Sequence, residues 1–261
     1  MTLKPITIDI SEYPTDLHPI LVGANIYDSS CSEEARVIFI EKAPGYFLKS
    51  APKGKLEQEA AMTKYFHTKG LAANVLAYIS REKDWLLTEK ILGDDCTTAK
   101  YLEEPTRLCD TLAERLIMLH ATDYADCPIA NHAHRYLASA KRNMETGNYD
   151  KSHFPDSHGY KTPEEAWAVI QTYGGLLKDD TLLHGDYCLP NVILDNWRFS
   201  GFIDLDQGCI GDRHVDIFWA LWSLSYNLKT DRYRQRFIDG YGRNRVNEDI
   251  LRLVAAVEVF G

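Results

Sequence analysis

The sequence predicts an α+β chain in which strands come first and helices follow. Three observations predict this. Up to about residue 90 the chain breaks into short β-branched and aromatic runs separated by Pro, Asp and Ser clusters. From Asp94 onward the apolar spacing turns helical, with Leu108, Leu112, Leu116 and Leu119 forming one stripe. Late in the chain, Val192-Ile193-Leu194 and Phe199–Ile203 flank Asp195-Asn196-Trp197-Arg198, a hairpin signal set among helices.

In order, Pro5–Ile10, Ile20–Tyr27 and Ala35–Glu41 read as strands. The polar stretch Asp28–Glu34 between the second and third is a loop. Gly45–Ser50 is a fourth strand, and Lys49 within it is costly unless its ammonium has partners. A helix from about Gly54 to Lys69 follows and offers Glu59 as a partner, with Glu57 as the competing choice. Asn74–Ile79 and Asp84–Lys90 are two further strands, joined by the charged turn Arg81-Glu82-Lys83. The segment Glu89–Gly93, with Glu89 and Ile91, then links the strand-rich part to the helical part. The boundary falls near residue 92, which gives domains of 1–92 and 93–261.

In the second part, His120 ends the Leu-striped helix in a capping or core role. Another helix runs from about Asn131 to Glu145 and is closed by Gly147. Asn148–Lys161 is polar and punctuated by Pro and Gly, so it is a loop. Thr162-Pro163-Glu164-Glu165 supplies an N-cap, a proline at the first helical position and a capping-box Glu, opening a helix to about Tyr173. The remainder after Ile217 is helical and aromatic.

The stretch His184-Gly185-Asp186-Tyr187-Cys188-Leu189-Pro190-Asn191 carries the chemistry. An Asp stands five positions before an Asn, and a second Asp, Asp204, lies beyond the hairpin. Phosphoryl transfer asks a protein mostly for positioning and for neutralisation of phosphate charge. The kinase template assigns Asp186 to orient the attacking hydroxyl and accept its proton, and Asn191 and Asp204 to hold Mg²⁺ through oxygen. In the same template the strand lysine, Lys49, meets the nucleotide phosphates and is held by Glu59.

The segment Leu183–Asp204, continued by Gly211-Asp212-Arg213-His214-Val215-Asp216, resembles the aminoglycoside phosphotransferase family, and is most similar to the aminoglycoside 3'-phosphotransferases. Weaker echoes at Asp84–Leu87, Asp126–Pro128 and Glu258-Val259-Phe260 extend the resemblance over nearly the whole chain. It implies a protein-kinase-like fold of two lobes: a small N-lobe with an antiparallel sheet and one helix, and a larger, mostly helical C-lobe. It implies ATP (or GTP) and Mg²⁺ as cofactors and a cationic aminoglycoside as acceptor, attacked at a hydroxyl, the 3'-hydroxyl first. A serine of the loop, Ser32, would then meet the phosphates, and backbone groups around Glu89 and Ile91 would bind the base. Asp156, Glu258 and Phe260 would line the acceptor site, with Glu164 and Glu165 as further carboxylate candidates. Asp216 would buttress the catalytic loop. The short segment Asp206–Gly211, and Gly185 in place of the arginine of protein kinases, argue against a phosphorylation switch.

Two features depart from the family pattern. Gln207 and the neighbourhood of Trp222 stand where arginines are usual, and Val257 replaces an aspartate. A kinase of another small hydroxyl compound (choline, a sugar or an amino alcohol) and an inactive nucleotide-binding relative therefore remain open alternatives at this point.

Composition narrows the classes. A net charge of −9 and a pI near 5.5 argue against nucleic acid as partner and favour a cationic one. The six scattered cysteines have no metal-finger spacing and read as thiols of a reducing compartment. No apolar run is long enough to span a bilayer and no signal-like start is present, so a cytoplasmic monomer or weak dimer is expected.

Overall fold

The structure is a computed structural model that describes residues 3–31, 35–149 and 160–261. The chain falls into two compact units, residues 1–95 with 193–206, and residues 96–192 with 207–261.

The first unit is built on a six-stranded antiparallel sheet: β1 (Lys4–Ile6), β2 (Asn25–Asp28), β3 (Arg36–Glu41), β4 (Tyr46–Pro52), β5 (Val75–Ser80) and β6 (Lys83–Glu89), in the spatial order β1-β2-β3-β4-β6-β5. A short helix, α1 (His18–Leu21), precedes β2. It corrects the strand expected over Ile20–Tyr27. Pro19 sits in the first turn of α1, where its missing N–H costs nothing, and Gly23, at φ 72°, ends the turn before the chain straightens into β2. The strand expected over Pro5–Ile10 likewise stops at Ile6, and Asp9 caps a 3₁₀ turn over Ile10–Glu12. Tyr13, Leu17, Leu21, Ile26, Ile38, Ile40, Leu48 and Leu87 form the buried cluster on one side of the sheet.

Helix α2 (Glu57–Thr68) buries Glu59, Ala60, Met62, Thr63, Tyr65 and Phe66, a stripe at the three- and four-residue spacing of a single face. The buried Asp84 takes the backbone N–H of Leu56 at 2.9 Å, just ahead of that helix.

A second sheet of this unit joins β7 (Asp94–Asp95), β9 (Val192–Asp195) and β10 (Arg198–Phe202) in the order β10-β9-β7. Asn196 and Trp197, both at positive φ (48° and 70°), turn β9 into β10. Phe202 N–H then bonds the Leu71 carbonyl at 2.7 Å, and its ring meets Phe66 edge-on at 6.3 Å. These contacts place the hairpin in the first unit, although the strand-to-helix shift in sequence puts the divide near residue 92. β7 has no signal in the sequence, since two residues carry no periodicity. Gly93 makes this pairing possible: at φ 111°, a Cβ there would lie 2.3 Å from the Leu194 carbonyl oxygen.

The second unit is mostly helical: α3 (Ala99–Leu102), α4 (Pro105–His120), α5 (His132–Thr146), α6 (Pro163–Tyr173), α7 (His214–Leu228), α8 (Arg234–Tyr241) and α9 (Glu248–Glu258). Strands β8 (Thr181–Leu183) and β11 (Cys209–Gly211) pair antiparallel beside them. The Leu stripe of α4 is buried as expected, and α5 ends on Gly147 at φ 71°. At α6, Thr162 Oγ1 accepts the N–H of Glu165 at 3.2 Å, while Glu165 accepts the N–H of Lys161 at 2.7 Å. None of the helices is long and apolar enough to cross a membrane, among the described residues.

Candidate active-site residues

In the first unit the residues place three charges together. Lys49 projects from β4 and Glu59 from the first turn of α2, and their charged atoms meet at 2.8 Å. Lys49 Nζ also donates to Asp204 Oδ1 at 2.7 Å. Glu57, the competing partner, is exposed, whereas Glu59 is buried. Burial alone would discharge Lys49, but the carboxylates of Glu59 and Asp204 outweigh it and raise the ammonium above its ordinary range. Burial pushes Glu59 up to about 7, against the pull of Lys49 and with the push of Asp204. Asp204 itself adopts φ 60° and its side chain is 47% exposed, so one carboxylate oxygen is held by Lys49 while the group as a whole faces outward.

Around the link, Glu89 N–H bonds the Asn74 carbonyl at 3.0 Å and Lys90 N–H the Gly45 carbonyl at 2.9 Å. Ile91 packs against Gly201, where an added Cβ would come within 2.8 Å of Ile91 Cδ1. Ser32 and Asp156, singled out from the sequence, lie outside the described residues.

In the second unit, the loop from His184 to Asn191 is pinned at nearly every residue. Asp216, at the start of α7 and fully buried, takes the N–H of His184 at 2.8 Å and of Gly185 at 2.7 Å. His120 at the end of α4 bridges Asp216 (3.1 Å) and the Tyr241 hydroxyl (2.8 Å). Tyr187 donates to the Leu112 carbonyl at 2.9 Å, and Ser223 Oγ accepts the Leu189 N–H at 2.9 Å. Asp216 is the buttress the sequence suggested. Ser223 and the Tyr187–Leu112 bond had no sequence signal, because a buried serine in a helix looks like any small residue until its partner is seen.

Within this loop, Asn191 Nδ2 donates to Asp186 Oδ2 at 2.8 Å and to the Asp186 carbonyl at 3.0 Å. That orientation is forced, since a flipped amide would set its oxygen against two oxygens. Asn191 Oδ1 is thus the amide atom left to serve as a ligand, and it and the Asp204 carboxylate are oxygen donors of the kind Mg²⁺ prefers. The donor chemistry fits that ion. Cys188, two residues past Asp186, is no rival nucleophile. Burial, and then the Asp186 charge, keep its thiol well above the usual range and protonated.

At the far end of this unit the ring of one acceptor-site candidate lies in the core. Phe260 is fully buried against Trp167 and Tyr149, and its carbonyl accepts from Asn143 Nδ2 at 2.6 Å. An aromatic ring gains more from the core than from water, so its side chain serves packing rather than a ligand. Glu258 is half-buried and accepts from the Tyr136 hydroxyl. Glu165 is taken up by the α6 cap, and Glu164 is exposed beside it.

Comparison with known proteins places the chain in a family. Residues 32–253 match the model of the phosphotransferase enzyme family. Over 260 residues, 99% of each chain, the sequence is 49% identical to a probable aminoglycoside 3'-phosphotransferase of Lactococcus lactis subsp. lactis (strain IL1403). It is 32% identical to an aminoglycoside 3'-phosphotransferase of Niallia circulans over 68% of this chain and 67% of that one. Among solved structures it resembles an aminoglycoside-3'-phosphotransferase of type VIII with a TM-score of 0.78, at 23% identity over 96% of each chain. It also resembles an aminoglycoside phosphotransferase of Streptomyces rimosus in complex with ADP and streptomycin, with a TM-score of 0.72, at 20% identity over 97% of this chain and 99% of that one. At such identities the structural likeness establishes the fold, the α+β, protein-kinase-like architecture that the motif resemblance implied.

Proposed function

We propose that this chain, which belongs to the phosphotransferase enzyme family and within it to the aminoglycoside phosphotransferases, moves the terminal phosphoryl group of ATP to the 3'-hydroxyl of an aminoglycoside. The observation that carries this reading is the paired arrangement of Lys49 with Glu59 and Asp204, and of Asp186 with Asn191. One charged set suits phosphates, and the other suits a hydroxyl that must lose its proton. The 49% identity to a relative described as a probable 3'-phosphotransferase supports the position of attack.

The residues divide the work. Lys49, held charged by Glu59 and Asp204, meets the nucleotide phosphates. Glu89 and Ile91 lie on the segment whose backbone receives the base. Asn191 and Asp204 would each offer an oxygen to Mg²⁺, and that ion would supply neutralisation of phosphate charge. Asp186, with one carboxylate oxygen fixed by Asn191, orients the acceptor hydroxyl and takes its proton as the oxygen–phosphorus bond forms. Glu258 offers a carboxylate to the ammonium groups of the acceptor. The net charge of −9 favours the approach of such a polycation. The reaction belongs to the cytoplasm, where ATP is, and its product is an antibiotic that no longer acts, hence resistance.

The test is ADP release from ATP and Mg²⁺ on adding kanamycin, with choline in a parallel cell. Kanamycin-dependent turnover is expected, together with a fall of at least a hundredfold in Asp186→Ala while nucleotide binding is kept, as is typical of a lost general base. Turnover with choline alone, or full activity in Asp186→Ala, overturns the reading.

A further inference from the structure

Asp204 sits at φ 60°, a region that a residue with a side chain enters at a cost and keeps only where its surroundings fix it. The chain just before it is fixed by backbone contacts. Phe202 N–H bonds the Leu71 carbonyl at 2.7 Å, and Phe202 forms a parallel bridge with Ala72. Asp204 itself is held by Lys49. The chain after it is fixed two residues on, where Gln58 Nε2 donates to the Asp206 carbonyl. Positions 202, 204 and 206 are thus each held, and Leu205 between the last two is fully buried.

Gln58 precedes Glu59 in the first turn of α2. The two neighbours grip the same short segment, Glu59 through Lys49 and Gln58 directly. The closeness also shows in charge, because the Asp206 carboxylate is one of the groups that raise Glu59. A carboxylate at position 58 would meet the charges of Glu59, Asp204 and Asp206 and would have no proton to donate. An amide brings an N–H without a charge. Its orientation is set by its partner, since a flipped amide would put oxygen against oxygen. Gln58 is half-buried, and it is outside the set of residues assigned above to the nucleotide, the ion or the acceptor.

We propose that Gln58 is a positioning residue: by clamping the Asp206 carbonyl it holds Asp204 in its left-handed conformation and keeps that carboxylate set for phosphoryl transfer. The inference rests on the role given to Asp204 above, and it does not depend on which acceptor is used.

Gln58→Met, Gln58→Glu and Gln58→Arg test it against wild type. Met keeps the length and helix preference without a donor, and Glu keeps the shape without a donor and suits the first turn of a helix. Arg restores N–H donors on an arm long enough to reach. The first readout, hydrogen-exchange mass spectrometry of the free protein, needs neither nucleotide nor metal. Amides of residues 203–206 should exchange roughly tenfold faster in Gln58→Met and Gln58→Glu, as for a lost hydrogen bond, while α2 and the six-stranded sheet stay protected. The second readout is kinetics with ATP and kanamycin. Turnover should fall roughly fivefold to tenfold in both variants, with KM for kanamycin within about twofold of wild type. Gln58→Arg should recover wild-type exchange and most of the turnover.

Wild-type exchange over residues 203–206 in Gln58→Met overturns the clamp. Faster exchange throughout the first unit, with a lower melting temperature, overturns it as well, since Gln58 would then only stabilise α2. So does a Gln58→Arg turnover no better than that of Gln58→Met, because the donor is what the clamp requires. A wild-type chain that turns over no aminoglycoside overturns the acceptor reading alone, and the exchange measurement still decides the clamp.

Discussion

Lys49 Nζ and Glu59 Oε2 stand 2.8 Å apart with side chains only 21% and 7% exposed, so each sets the charge state of the other. The consequence is a pH dependence with a definite sign. Burial raises Glu59 from the ordinary glutamate range near 4.5 to about 7, so the folded chain binds this proton more tightly than the unfolded one. Its contribution to stability is therefore fully present below about pH 4.5 and is lost as pH rises through about 7. In Glu59→Gln the side chain is fixed neutral, and that loss disappears. The variant's stability relative to wild type should accordingly grow between pH 5 and pH 8. Urea unfolding of both proteins at the two pH values measures it. A stability difference that does not change with pH would refute the assignment.

Much of that pair was legible in the sequence. A lysine on an apolar strand followed by an acidic helix turn limits the partners to two, and burial of one face of α2 decides between them. The hairpin was legible too, because Asn196 announces a turn that wants positive φ. Other features were not. Ile20–Tyr27 looks like a strand because its apolar content hides the effect of Pro19, which starts a helix just before it. Phe260 stands out by its place in a motif, and nothing local in the sequence says that its ring is buried against Trp167 and Tyr149. The clamps on the catalytic loop come from Asp216, Ser223 and Leu112 on distant helices, and local pattern carries no trace of such long-range partners. Only Asp216 stood in a motif strong enough to be noticed.

Gly185 occupies a position that no other residue should fill. Its φ is 85°, and a Cβ would fall 2.2 Å from the Gln207 carbonyl oxygen and 2.5 Å from its carbon. The obstruction is backbone, so no side-chain rotation relieves it. Gly185→Ala should lower unfolding free energy by about 2–4 kcal/mol, combining backbone strain and overpacking. Turnover should fall more than KM rises, because Asp186 is the next residue. Chemical denaturation and kinetics on one preparation check both, and a variant as stable as wild type would contradict the close approach.

Asp216 is the acceptor for two consecutive backbone N–H groups, those of His184 and Gly185. Asp216→Asn turns one acceptor oxygen into a donor that faces another donor. A buried charge-assisted network broken on one side costs about 3 kcal/mol. The Gly185 amide should then exchange with solvent much faster than in wild type, which hydrogen-exchange mass spectrometry reads. Unchanged protection of residues 184–186 would show that the loop is held by something else.

The discontinuity of the first unit bears on how the protein is made. Residues 1–95 leave the ribosome early, but β7 has its partner strand, and Lys49 its second carboxylate, only within residues 193–206. Until that hairpin emerges, the nascent chain carries an unpaired strand and a half-neutralised ammonium. Domains generally fold in order of synthesis, yet this one cannot be completed until residues 96–192 have been translated. A stalled chain ending before residue 193 would therefore expose an incomplete first unit to proteases, and a chain released past residue 206 would not.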